Sequence, residues 1–156
     1  PVQLLDVFPT VLKAANVEPS SAENDLKGHS LFDLANGLTP DRIIISEQHS
    51  AGAKSASFMV RKDQYKLVYH IQYPNQLFDM EKDPEERNDL SSDPAFASVA
   101  ENMEAELRKI LDPEDIDRKA KADQAARIEE GGGQDAIVSK GSPGYTPAPG
   151  EKPVYV

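Results

Sequence analysis

Residues 56–80, ASFMVRKDQYKLVYHIQYPNQLFDM, decide the fold. ASFMVRK and YKLVYHIQ are rich in β-branched and aromatic residues and are separated only by Asp63 and Gln64, a spacing that predicts two strands joined by a tight hairpin. Pro74 and Asn75 mark another turn, after which NQLFDM adds a further strand. Upstream, RIIISEQ (42–48) is a β-branched run that reads as a buried strand. Sequential strands with short links imply an antiparallel meander. From Pro94 onward Phe96, Val99, Ala100, Met103, Leu107, Ile110 and Leu111 keep a helical period, so a long helix should lay one apolar stripe across the strands. Phe58, Tyr65 and Tyr69 are expected to pack the sheet against that helix.

The flanks differ in character. PVQLLDVFPTVLKAANV at the start places Leu4, Leu5, Phe8, Val11, Leu12 and Ala15 on one helical stripe, with Pro1 suited to a first turn and Pro9 bending or restarting the helix. EPSSAENDLKGHS reads as a surface loop, and LFDLANG as a short helical turn stopped by Gly37. Asp83, Asp93 and Asp112 each precede a proline, a device in which the carboxylate caps a free helix N–H; Glu86, three residues after Asp83, resembles a capping box. A polar helix is predicted from Pro113 to about Ile128, ended by the glycines at 131–133. Beyond it the chain is Pro/Gly-rich and dotted with Ile137, Val138, Tyr145, Val154, Tyr155 and Val156, a pattern shared by disordered segments and by arms laid on a neighbouring surface.

The fold class is therefore α+β: a small antiparallel sheet of about four strands packed on a long helix. Four regions are expected: helices and a loop over 1–40, the sheet-plus-helix unit over 41–112, a polar helix over 113–130 and an extended tail over 131–156. The 156 residues suffice for one hydrophobic core. A formal net charge of −10 and the absence of any basic stripe argue against nucleic acid and anionic membranes as partners. No apolar run is long enough to span a bilayer. Having no cysteine, the chain can form no disulfide, thiolate metal site or cysteine nucleophile, which leaves the compartment, cytoplasmic or periplasmic, open. The sequence opens mid-pattern on Pro1 without an initiator Met, so residues upstream are expected and the lack of a signal peptide is uninformative.

Candidate chemistry centres on SEQHSAGAK (46–54). Glu47 and His49 are two apart and point to one side of a strand. Such a pair can orient a cation, bind a metal weakly or tune a proton transfer, and it can equally be a hydrogen-bonded strand end without catalytic role. No further His, Asp or Glu nearby completes a metal-ligand spacing. Gly52 marks a turn or a close approach. Lys54, beside His49, is the best anion ligand; Arg61, Lys62 and Lys66 read as solvated cations or partners of the acidic helices. His29 and His70 read as structural or exposed. Ser139 and Ser142 lack a base and an oxyanion framework, and the three glycines lack a Lys-Ser continuation, so neither a serine nucleophile nor a phosphate loop is expected.

The order PVQLLDVFPTVLKAANV, GHSLFDLANG, SEQHSAG, FMVRKDQYKLVY and QLFDMEKDPEERNDLSSDP resembles the C-terminal part of a sulfatase, in the arylsulfatase and choline-sulfatase branch of the alkaline-phosphatase-like superfamily. Its most specific signature is the last segment, where Leu77, Phe78, Asp79, Asp83, Pro84, Glu86, Asn88 and Leu90 match. The likeness covers about residues 1–130 and implies a larger α/β domain upstream, to which residues 1 to about 37 would contribute closing helices. It also implies, for the intact enzyme, sulfate-ester hydrolysis with a formylglycine nucleophile and a divalent cation such as calcium. The C/S-x-P-x-R motif, the paired aspartates and the other metal ligands of that family do not occur here. The resemblance thus implies no catalytic residue and no metal ligand within this chain, no cofactor bound by it, and no turnover by it alone. Glu47, His49 and Lys54 become substrate-contacting residues at the rim of a pocket built upstream, Glu47 balancing a cationic head group and His49 hydrogen-bonding the leaving side. Expected partners are the N-terminal sulfatase region, a small sulfate ester and, through the tail, further copies of the chain. Alternatives left open are phosphonate or phosphate ester hydrolysis in the same superfamily and a non-catalytic assembly module.

Overall fold

The computed structural model describes residues 1–20, 27–38, 41–49 and 53–141. Its centre is a four-stranded antiparallel sheet of β1 (Ile44–Gln48), β2 (Ser57–Lys62), β3 (Tyr65–His70) and β4 (Gln76–Asp79), in the order β1-β2-β3-β4. Asp63 and Gln64 form the two-residue loop between Lys62 and Tyr65, which face each other across β2 and β3; Asp63 takes the positive φ (51°) such a loop requires. Directly opposed residues share a face. Val60, Leu67 and Leu77 are thus aligned across three strands, together with Phe58 and Tyr69, while Ile44, Arg61, Lys66 and Phe78 lie on the other face.

A 3-10 turn over Pro94–Phe96 leads into α3 (Ala97–Ile110), and two shorter helices, α1 (Val7–Ala14) and α2 (Leu31–Ala35), precede the sheet. The Asp93 carboxylate accepts the Ala95 N–H at 2.9 Å, so the Asp-Pro device operates there as its sequence predicts. α3 lies on the face holding Phe58, Val60 and Leu67. Met103 and Leu107 enter the core, Lys62 reaches Glu106 at 3.6 Å, Tyr65 meets Phe96 edge-on, and Arg108 stacks over Tyr69 while donating to its hydroxyl. Ile110, at the end of the stripe, is 56% exposed.

Several expectations are corrected. RIIISEQ does form a strand, but β1 is an edge strand in which Ile44 alone is buried, because among the described residues no fifth strand covers its outer side. Asp83 and Glu86 make no capping box. Asp83 accepts the Asn88 N–H at 2.7 Å, and Glu86, with φ 55°, turns its carboxylate to Lys66 Nζ at 2.7 and 2.8 Å. Lys66 therefore pairs with a loop rather than with a helix. The first helix does not run from Pro1: Leu4–Asp6 form a 3-10 turn and α1 starts at Val7, which puts Pro9 in the first turn, where its missing donor costs nothing. Its apolar stripe is largely exposed, with Leu4 at 88%.

The chain divides into two units, Pro1–Pro113 and Glu114–Val156. The second carries α4 (Pro113–Glu130) and α5 (Gln134–Ser139). α4 is polar all round and laced with i,i+4 pairs, Asp115–Lys119, Asp117–Lys121 and Asp123–Arg127, each with the acid N-terminal to the base. α5 corrects the expectation of a wholly extended tail: Gln134–Ser139 has enough helix formers to restart after the glycines, with Ile137 over Gly131, where a Cβ would come within 2.7 Å of the Ile137 side chain. Tyr145, Val154, Tyr155 and Val156, like Ser142 and Gly52, lie outside the described residues.

The link between the helical start and the sheet is a buried ion pair. Asp6 is fully buried, and its carboxylate takes both Arg42 Nη1 (2.7 Å) and Nη2 (2.8 Å) and the backbone N–H groups of Gln3 and His29 (both 2.9 Å). Gly28 is required beside it, since a Cβ there would sit 2.3 Å from the Leu5 carbonyl oxygen and φ is 132°. The Arg42 guanidinium, opposed by burial but helped by the two N–H donors, holds the Asp6 carboxyl well below the usual carboxylate range. A depressed folded pKa contributes stability that is present above the unfolded value and lost as pH falls through the folded one. Asp6→Ala should therefore cost about 3–5 kcal/mol at neutral pH, and the gap between wild type and variant should close only below about pH 4, measured by urea unfolding across pH. Leu107→Ala, at a fully buried position, should cost about 2–5 kcal/mol, against a much smaller change for Ile110→Ala.

Candidate functional site

The exposed end of β1 presents the candidate cluster. Because Glu47 opposes Phe58, its side chain lies on the sheet face that carries α3. His49 follows the last strand residue and folds back over the same position. Its Nε2 lies 3.0 Å from Glu47 Oε2, and its ring meets Phe58 edge-on at 5.5 Å between centroids, with the planes 77° apart. The fully buried Phe58 is thus a floor beneath a partly exposed imidazole, and the carboxylate holds the ring from its rim. The spacing of Glu47 and His49 on one side of the strand is legible in the sequence. The ring contact with Phe58 is not, since it crosses to the neighbouring strand.

Lys54 is exposed, in a bend between β1 and β2 anchored by Ser55 Oγ donating to the Ile71 carbonyl at 2.6 Å. No described contact joins Lys54 to Glu47 or His49. The pair can accept or donate hydrogen bonds to a polar group arriving over the edge of the sheet, with Lys54 offering a cation on the adjoining loop. Among the described residues no group of three or more His, Cys, Asp or Glu side chains is placed to hold a metal ion, and no helix is long and apolar enough to cross a membrane.

Two carboxylates at the margin of β4, Asp89 and Asp79, are structural. Burial pushes the Asp89 carboxyl up, but hydrogen bonds from the N–H groups of Leu77 (3.0 Å) and Ser91 (2.9 Å) outweigh it and leave the carboxyl below its ordinary value. Leu90 N–H also donates to the Leu77 carbonyl, so this loop seals the outer edge of β4. In Asp79 burial likewise opposes, and is outweighed by, donors from the Lys82 backbone, Gln64 and the Glu81 backbone; the net effect is a lowered pKa. Asp79 thereby ties the β2–β3 loop to the turn after β4.

The sequence model of the family described as N-sulphoglucosamine sulphohydrolase, C-terminal, matches residues 1–112. Arylsulfatase K of Danio rerio is 31% identical over 121 residues, which are 72% of this chain and 22% of that protein. The choline-sulfatase of Rhizobium meliloti (strain 1021) is 30% identical over 94 residues, covering 60% of this chain and 18% of its own. In three dimensions the chain is similar to a 2-O GAG sulfatase, with a TM-score of 0.52, 28% identity, and coverage of 78% of this chain and 26% of the other. The chain thus spans about a fifth of the length of the curated relatives it matches.

Glu47 is on an edge strand and well exposed, so Glu47→Ala should change the folding free energy by no more than about 0.5 kcal/mol, read from the midpoint of urea unfolding. A larger loss would assign the pair to the fold rather than to a ligand.

Proposed function

We propose a function from the family to which this chain belongs, the sulfatase family described as N-sulphoglucosamine sulphohydrolase, C-terminal: the chain is the closing segment of a sulfate-ester hydrolase and is inactive by itself. The match over residues 1–112 carries this reading. The exposed apolar side chains of Leu4, Leu5, Val7 and Phe8 add support, being surface that a further region of the polypeptide would cover. In this reading the formylglycine nucleophile and the divalent cation belong to the upstream catalytic region. Among the described residues no group of carboxylates and imidazoles is placed to hold that cation, and no chemical step is assigned to this chain.

What the chain contributes is recognition. Glu47, His49 and Lys54 lie at the rim of the pocket. Glu47 faces a cationic or hydrogen-bond-donating part of the substrate, His49 is held by Glu47 and Phe58 to hydrogen-bond the leaving side of the ester, and Lys54 draws in its anionic side. The tail beyond residue 141 is the segment through which copies of the chain would associate.

In the full-length enzyme, Glu47→Ala should raise KM several-fold with kcat nearly kept, because a rim contact is made equally in ground and transition states. An unchanged KM would remove Glu47 from the site. The purified 156-residue chain should release no sulfate from an aryl sulfate; turnover by it alone would overturn the proposal.

A further inference from the structure

The four cations of the sheet region are not equivalent. Lys62 is paired with Glu106 of α3 and Lys66 with Glu86, while Lys54 stands in an exposed bend. Arg61 is different from all three. It is only half-exposed, its side-chain Nε is shut off from solvent without a hydrogen-bond partner, and no ion pair of its guanidinium is seen among the described residues. It also lies directly opposite Lys66 on one side and Ile44 on the other, on the face turned away from α3 and from Glu47. Two cations opposed across a strand pair repel one another, and Glu86 answers only one of them. A guanidinium left partly desolvated without an acceptor is destabilising. Its persistence calls for an anionic partner outside these residues.

We infer that Arg61 is the anchor of a docking surface it forms with Met59 and Val68 on the sheet face opposite α3, beside the already buried Ile44 and Phe78, and that this patch receives an Asp or Glu carboxylate from the catalytic region preceding this chain in the same polypeptide. The inference rests on the proposal that such a region exists. Charge complementarity sets the sign of the partner, and the planar fork of arginine suits a carboxylate. The neighbourhood chooses between a protein surface and a small oxyanion. Met59 and Val68, half-buried and opposed on β2 and β3, share the face of Arg61 and give it an apolar flank. An apolar flank around one charged anchor fits a packed protein interface better than an ion site, which would gather several donors. Arg61 is also three strand positions from Phe58 and on the opposite face, so it does not serve the Glu47–His49 cluster.

The test uses the full-length polypeptide with Arg61→Met, Arg61→Lys and Lys62→Met. Equilibrium unfolding is followed in chloride and in sulfate, light scattering gives the mass, and aryl sulfate hydrolysis is assayed separately. Arg61→Met should lower the folded-to-unfolded ratio about tenfold, the effect of one charge-assisted hydrogen bond. Arg61→Lys should recover part of it, Lys62→Met should cost less, and the loss should be the same in both salts at unchanged mass. An Arg61→Met protein as stable as wild type, or more stable, overturns the inference. Stabilisation by sulfate seen in wild type and lost in Arg61→Met would reassign the residue to a small anion, and a mass that halves in the variant would reassign it to a second copy. A stability loss in a protein without sulfatase activity would refute the proposed function while leaving the docking contact standing.

Discussion

A buried carboxylate, Asp6, ties the helical start of this chain to the sheet. Asp6 receives four hydrogen bonds, two from Arg42 just before β1, one from His29 and one from its own turn at Gln3. A single side chain thereby gathers the helical start, the loop before α2 and the entry to the sheet. Arg42 also donates to the Pro1 carbonyl, so the same guanidinium secures the first residue. Fully desolvated charges are tolerated only when every acceptor site is used, and here they are. The close passage of Gly28 over the Leu5 carbonyl follows from that convergence.

The segment that most resembles the sulfatase ending has a structural explanation rather than a catalytic one. In QLFDMEKDPEERNDL, Leu77 and Phe78 are core, Asp79 ties the β2–β3 loop to the following turn, Glu86 neutralises Lys66, and Asp89 closes the β4 edge. Each carboxylate satisfies donors that a four-stranded sheet would otherwise leave open at its margin. As a member of the family described as N-sulphoglucosamine sulphohydrolase, C-terminal, the chain uses this motif to finish a sheet.

The opposite edge is treated differently. β1 is not sealed among the described residues; it carries Glu47 and, just beyond its end, His49, on the side of the sheet that holds α3. A strand with one free side has room for side chains that must meet something other than the core. The edge position that upset the expectation of a buried strand is thus what makes the Glu47–His49 pair available.

The sequence by itself determined the elements whose signals are local. The Asp63–Gln64 hairpin, the 3.6-residue period from Phe96 to Leu107, the Asp93–Pro94 start and the glycine stop after α4 all depend on neighbours within a few residues. Only the tertiary structure decided which strand lies at the edge, which acid meets which base, and where the apolar stripe of the first helix points. Asp6 finds Arg42 thirty-six residues away, Lys66 finds Glu86 across a loop, and His49 rests on Phe58 of the next strand. Such partners are fixed by strand order and register, which arise from the summed burial of the whole sheet, and no short stretch of residues encodes that sum.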